Sequence, residues 1–295
     1  MNWKAECILD AKATLGEGPV WDHREGRLWW VDIVGESIHR FDPVSGADDV
    51  FDVGQQVGAV VPCEAGGLVV AAHHGFFHFN PDDGALGAWS DPESAIETNR
   101  FNDGKCDPAG RFWAGTMSTE GGGATGSLYR LDTDRSVTRM VEDITVSNGL
   151  AWTADRRTMY YIDTRTRCVF AFDYDFESGA IENRRVAIEL PEDHGSPDGM
   201  CIDSEGMLWV AEWGGWRITR WNPDTAENLG QVDLPCERVT SCAFGGPNFD
   251  RLYITSARTG LDEEALKDQP LAGGLFLATP GVTGLKADFF AGTAD

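Results

Sequence analysis

Four short segments of this chain place an oxygen-bearing side chain beside a glycine or one residue before it. They are Gly16-Glu17-Gly18-Pro19, Arg100-Phe101-Asn102-Asp103-Gly104, Ser147-Asn148-Gly149 and Ser196-Pro197-Asp198-Gly199. Singly, each reads as an ordinary turn, because Asn, Asp and Gly all tolerate turn geometry. Together, Glu17, Asn148 and Asp198 offer two carboxylates and an amide, hard oxygen donors that suit Ca²⁺, Mg²⁺ or Mn²⁺ and suit zinc or iron less well. A cation held by three such groups keeps positions open for water and a substrate oxygen. That chemistry requires segments far apart in sequence to meet at one point.

A repeat supplies the means. A polar turn followed by a strand rich in aromatic and β-branched residues recurs six times, marked by Gly26, Gly66, Gly110, Arg156, Gly206 and Asp250, at intervals of 40 to 50 residues. Such intervals match the four-stranded blade of a propeller and are too long for a single hairpin. Each copy continues into a further strand such as Ser37-Ile38-His39-Arg40-Phe41-Asp42 or Ser127-Leu128-Tyr129-Arg130-Leu131-Asp132, ending in Asp or Asn. Period-2 alternation argues for strands, and most glycines and prolines fall between them. The expected fold is all-β, a single six-bladed β-propeller spanning residues 1–295 with no long helix. Trp29, Trp113 and Trp209 share one repeat position and are expected to fill space between blades. The last blade needs an extra strand against Gly274–Ala278, from either Lys4–Leu9 or Lys286–Phe290, so the termini are expected to lie close together.

In a propeller the first strand of every blade lines the central channel, so equivalent positions face one another around the axis. Counting back eight or nine residues from each turn marker gives Glu17, Gly58, Asn102, Asn148, Asp198 and, with less regular spacing, Thr240. Clustered carboxylates repel one another unless a cation lies between them. The register therefore predicts one axial metal site.

Composition narrows the class of partner. With 42% hydrophobic and 11% aromatic residues, the 295-residue chain can build a substantial core. Its 48 acidic against 24 basic residues give a formal charge of −24, which repels phosphate backbones and anionic lipid, so nucleic acid and membrane partners are not expected. Residues 1–11 lack the features of a signal peptide and no run of about 18 apolar residues occurs, so a cytoplasmic location is expected. The seven scattered cysteines read as reduced, mostly buried thiols. No obligate protein partner is evident.

The motifs carrying Glu17, Asn148 and Asp198, together with Phe101-Asn102-Asp103-Gly104-Lys105, Pro197-Asp198-Gly199-Met200-Cys201-Ile202-Asp203 and Thr240-Ser241-Cys242-Ala243-Phe244-Gly245-Gly246, resemble the regucalcin and gluconolactonase family from about Glu17 to Phe276. That resemblance implies a six-bladed propeller with one divalent metal ion, Ca²⁺ before Mn²⁺, Mg²⁺ or Zn²⁺, acting on a small sugar lactone. It places the metal ligands on Glu17, Asn148 and Asp198 and the substrate contacts on Arg100 and Asn102. It adds Asp103 and, on a loop shorter than in regucalcin, Glu120 as further substrate contacts.

Lactone hydrolysis needs an electrophile on the carbonyl and a base for the attacking water. Asp198 is the candidate base, provided one carboxylate oxygen stays free. Arg100 and Asn102 would hold sugar hydroxyls or the developing oxyanion, and the glycines 121 to 123 would let their loop close over the mouth. Two other readings use the same residues: a calcium-binding regulator without turnover, and a phosphotriester or aryl-ester hydrolase. Other motifs lead nowhere. Gly121-x-Gly-x-x-Gly126 joins two strands with no helix behind it, Asp173-x-Asp-x-Glu177 lacks the Gly and Glu of a calcium loop, and Ser127 and Ser147 lack a nucleophile elbow. His73, His74 and His78 sit around one turn and cannot all reach one metal.

Overall fold

The computed structural model describes residues 1–293; Ala294 and Asp295 of the expected domain lie outside the described residues. Six sheets form, one per repeat, five of four antiparallel strands and one with a fifth strand added in parallel. Their first strands are Gly16–Asp22, Val57–Pro62, Asn99–Cys106, Ser147–Trp152, Ser196–Ile202 and Val239–Gly245. Each packs against its counterpart in the next blade, and the sixth against the first, so the ring is a closed six-bladed β-propeller. Among the described residues the one α-helix is Glu263–Asp268, capped by the Asp262 side chain on Ala265 N–H. Among the described residues no helix is long and apolar enough to cross a membrane.

The turn motif is built by its aspartate. Asp107 accepts from the backbone N–H groups of Ala109 and Arg111 and from Trp113 Nε1 at 2.9 Å. Asp203 repeats this with Glu205, Met207 and Trp209 Nε1. One carboxylate thus shapes the hairpin and satisfies an indole N–H that burial would otherwise leave unpaired. Five of the six turn markers have a left-handed backbone, Arg156 among them; in the sixth blade that conformation falls on Phe249 instead of Asp250.

Six apolar clusters fill the space between neighbouring blades, one per junction. Trp29, Trp113 and Trp209 each lie in such a cluster at 2% exposure or less, as packing residues. All seven cysteines are free, and only Cys7 is not buried.

The ring is closed from the N-terminal side. Glu6–Leu9 pairs antiparallel with Leu275–Ala278, and Asn2–Lys4 pairs in parallel with Glu227–Asp233 of the preceding blade, so one segment staples two blades. Lys286–Phe290 forms no such strand. It runs beneath the channel, where Phe290 bridges to Cys63 and Ala291 N–H donates to Gly110. The two ends of the chain therefore attach to different blades, not side by side.

Candidate active site in the central channel

In every blade the ladder between the first and second strands slips at the same place. The breaks fall between Glu17 and Val20, Val57 and Ala59, Phe101 and Gly104, Ser147 and Leu150, Pro197 and Met200, and Val239 and Ser241. A bulge releases a residue from strict alternation and re-aims its side chain. The polar–glycine pairs noted in the sequence are therefore bulges within strands. The glycines permit close approach at the axis: a Cβ on Gly199 would lie 2.1 Å from Ser241 Oγ.

These bulges bring Glu17, Arg100, Asn102, Asp103, Asn148 and Asp198 together, each between 3% and 8% exposed. Arg100 Nη1 donates to Phe101 O and to Asn102 Oδ1, both at 2.8 Å. Asn102 Nδ2 donates to Ser147 O at 2.8 Å and to Asn148 Oδ1 at 3.3 Å. Asn148 Nδ2 is held by Thr164 Oγ1 at 2.8 Å, which fixes the amide so that its oxygen faces Asn102. Asn102 has thereby used both donors and one lone pair, and can still accept one hydroxyl but donate to none.

The electrostatics are those of crowded carboxylates. Burial, then Asp103, raises Glu17 to about 8, against partial relief from Gly18 N–H, Arg100 and Asp198. Burial, then Glu17 and Asp103, pushes Asp198 well above the usual carboxylate range. Asp103 is raised by burial and eased by Lys105. The same burial lowers Arg100 to about 10, although Glu17 and Asp198 hold its charge. Two acids, Glu17 and Asp198, facing one guanidinium form a set that a divalent cation suits, with the Asn148 oxygen already oriented. Among the described residues no three Asp, Glu, His or Cys side chains converge into a ready-made cluster, so a cation here depends on Asn148 as its third donor.

Two register positions serve the frame instead. A Cβ on Gly58 would sit 2.4 Å from Asn102 O and 2.5 Å from Phe101 O, so the second blade yields its place to the backbone of the third. Thr240 Oγ1 donates to Gly16 O at 2.6 Å and so anchors the start of the first blade. Glu120 stands apart, exposed on its loop, with its N–H on Ser118 Oγ. Three contributors were missed: Ser147 and Thr164, which orient the two asparagines, and Lys105. Lys105 Nζ crosses the channel to Leu150 O at 2.9 Å and Met200 O at 2.7 Å, strapping three blades together. Its place in the same short motif as Asn102 and Asp103 was the available signal.

A cavity of about 700 Å³ lies at the other end of the channel, lined by Trp21, Asp103, Lys105, Trp152 and the segment Leu285–Phe289. It shares Asp103 with the carboxylate cluster but contains neither Glu17, Asn148 nor Asp198. The chemistry-bearing groups occupy the narrower end.

A closed six-bladed propeller with acidic and amide oxygens gathered at one end of its channel defines the class of protein. The chain belongs to the family described as SMP-30/Gluconolactonase/LRE-like region, whose profile matches residues 15–258. It is 42% identical to regucalcin of Xenopus laevis, the match covering 98% of this chain and 99% of that one. It is 40% identical to the Bacillus subtilis (strain 168) protein named "Putative sugar lactone lactonase YvrE", over 96% and 97% of the two chains. Among solved structures it is similar to a calcium-binding protein, regucalcin, of Agrobacterium tumefaciens, with a TM-score of 0.94, 28% identity and 98% of each chain covered.

Proposed function

We propose that this chain is a metal-dependent lactonase that opens a sugar lactone to the aldonic acid. The observation that carries this reading is the juxtaposition of Glu17, Asn148 and Asp198 with Arg100 and Asn102 in one buried cluster. A cation-binding regulator needs the first three, and Asn102 to orient Asn148, but has no use for a buried Arg100 guanidinium that competes with the cation for Glu17 and Asp198. The Bacillus relative's name supports a lactone substrate, and the Agrobacterium protein's title supports Ca²⁺.

Glu17, Asn148 and Asp198 would hold the cation, preferably Ca²⁺, with Mn²⁺, Mg²⁺ or Zn²⁺ as alternatives. When bound, it supplies a Lewis acid for the lactone carbonyl. Asp198 serves as the general base, taking a proton from the attacking water through the carboxylate oxygen left free of the cation. That proton returns to the ring oxygen as the acyl C–O bond breaks, leaving an aldonate. Arg100 has one nitrogen tied to Phe101 and Asn102, so the rest of its guanidinium faces the substrate as a rigid donor to the developing oxyanion. Asn102 accepts one sugar hydroxyl, while Asp103 and Glu120 take others. A cytoplasmic location fits the seven free thiols.

The regulator reading draws on the Agrobacterium title and makes the opposite prediction about turnover. The deciding experiment measures proton release from glucono-, xylono-, galactono- and arabinonolactones, using protein stripped by chelator and resupplied with single cations. Metal-dependent turnover that is lost in Asp198→Ala is expected. Background rates with every cation would leave a binding protein.

A further inference from the structure

Next to the carboxylate cluster, on the side of Thr164, lies a small pocket of about 150 Å³. It is lined by Ser118, Thr119, Thr145, Arg165 and the glycines 121 to 123. Its position is set by the site itself. Met117, also in its wall, pairs across the strands with Arg100, and Arg165 follows the Thr164 that holds Asn148.

The lining has a distinctive charge. In a chain with 48 acidic residues, this pocket contains no carboxylate; Glu120, in the same loop, is not part of the wall. Its only ionic group is Arg165, exposed, which makes no ion pair or hydrogen bond with any described residue. Beside it, the N–H groups of Gly121, Gly122 and Gly123 donate to no acceptor among the described residues. The left-handed backbone at Gly121 and Gly122 leaves open space around both. The Thr119 and Thr145 hydroxyls already donate to Thr98 O and Asp163, so the donors left to the pocket are the unpaired guanidinium, the Ser118 hydroxyl and the free amide hydrogens, the chemistry of an anion site. The volume is ample for one phosphate or carboxylate group.

We infer that this pocket binds an anionic group on the distal end of the lactone, so that the favoured substrate is a sugar lactone carrying a phosphate or a second carboxylate, with Arg165 as the specificity-determining residue. The inference rests on the lactonase reading above. The cation that reading calls for, together with Arg100, offsets the carboxylates at the reacting end, and Arg165 adds a cationic contact for the distal anion. Arg165 follows Thr164 in sequence and so places that contact beside the site, outside the reacting cluster.

The test compares kcat/KM for glucono-1,5-lactone, its 6-phosphate and a glucarolactone on the wild-type protein and Arg165→Gln. The expected result is a preference for a charged lactone that falls about tenfold in the variant, the scale of one lost charge-assisted contact. Turnover of the neutral lactone stays unchanged. The phosphate and carboxylate arms decide which anion the pocket takes. A neutral lactone opened as well as the charged ones, with no effect of Arg165→Gln, would overturn the inference while leaving the lactonase intact. Should no lactone be opened, calorimetry with 6-phosphogluconate decides it separately: binding about tenfold weaker in Arg165→Gln supports the pocket, and equal binding sinks it.

Discussion

Asn102 Nδ2 lies 3.3 Å from Asn148 Oδ1, so a residue of the third blade donates to the very oxygen through which the fourth blade would ligate a cation. The two amides form a relay: Arg100 is held by Asn102, Asn102 holds Asn148, and Thr164 fixes the far end.

Breaking that relay is expected to weaken cation binding without touching a ligand. Asn102→Ala leaves Ser147 O and Asn148 Oδ1 without their donor, and Thr164→Val frees the Asn148 amide to rotate. Losses of about 10- to 100-fold in Ca²⁺ affinity are expected from either change, as for other groups that orient a ligand. Isothermal titration calorimetry reads this directly, and wild-type affinity in both variants would remove the relay.

Arg100→Met separates catalysis from cation binding. Removing a preorganised donor to the oxyanion is expected to cut kcat by about 10²- to 10³-fold. Ca²⁺ affinity should hold or rise, because the positive charge facing Glu17 and Asp198 is gone. Parallel loss of both properties would place Arg100 in the frame of the site instead.

Stability of the metal-free protein should fall with rising pH. Glu17 is held at about 8, with Asp198 and Asp103 also raised, so the folded state binds more protons than the unfolded state from the usual carboxylate range up to about pH 8. Stability is then lost across that window as pH increases. Thermal melts of chelator-treated protein at pH 5, 6.5 and 8 should show decreasing Tm, with Ca²⁺ restoring most at pH 8. A flat profile would mean that the carboxylates do not crowd one another.

Gly58→Ala is expected to destabilise the ring although it removes no contact. Its methyl group would overlap the carbonyls of Phe101 and Asn102, and forcing atoms into a filled space costs about 1–3 kcal/mol. Thermal unfolding should show a lower Tm, accompanied by weaker Ca²⁺ binding as Asn102 is displaced.

Much of this was legible because a repeat turns distance along the chain into position around an axis. The spacing of the turns placed Glu17, Asn102, Asn148 and Asp198 at one level before any coordinates, and the structure brings those four together. The same rule overreached at Gly58 and Thr240, where the equivalent place is taken by a neighbour's backbone or a structural hydrogen bond. The bulges were hidden, since a polar–glycine pair reads alike as a turn or as a slipped ladder. The role of Lys105 cannot be read from its motif, because its partners are backbone carbonyls of other blades, which carry no side-chain signature. The closing strand was undecided for a similar reason: Glu6–Leu9 and Lys286–Phe290 have comparable local character, and only their partners differ.

That closing strand also sets an order in time. Glu6–Leu9 emerges from the ribosome more than 260 residues before its partner Leu275–Ala278, so the nascent chain carries an unpaired sheet edge through nearly all of translation. The junction between the sixth blade and the first, where Thr240 reaches Gly16 and Val239–Gly245 packs beside Gly16–Asp22, can form only after the last blade has been made. Glu17 lies on that seam. The carboxylate cluster is therefore assembled by the same event that closes the ring, and a cation present at that moment would act as a folding partner as well as a cofactor.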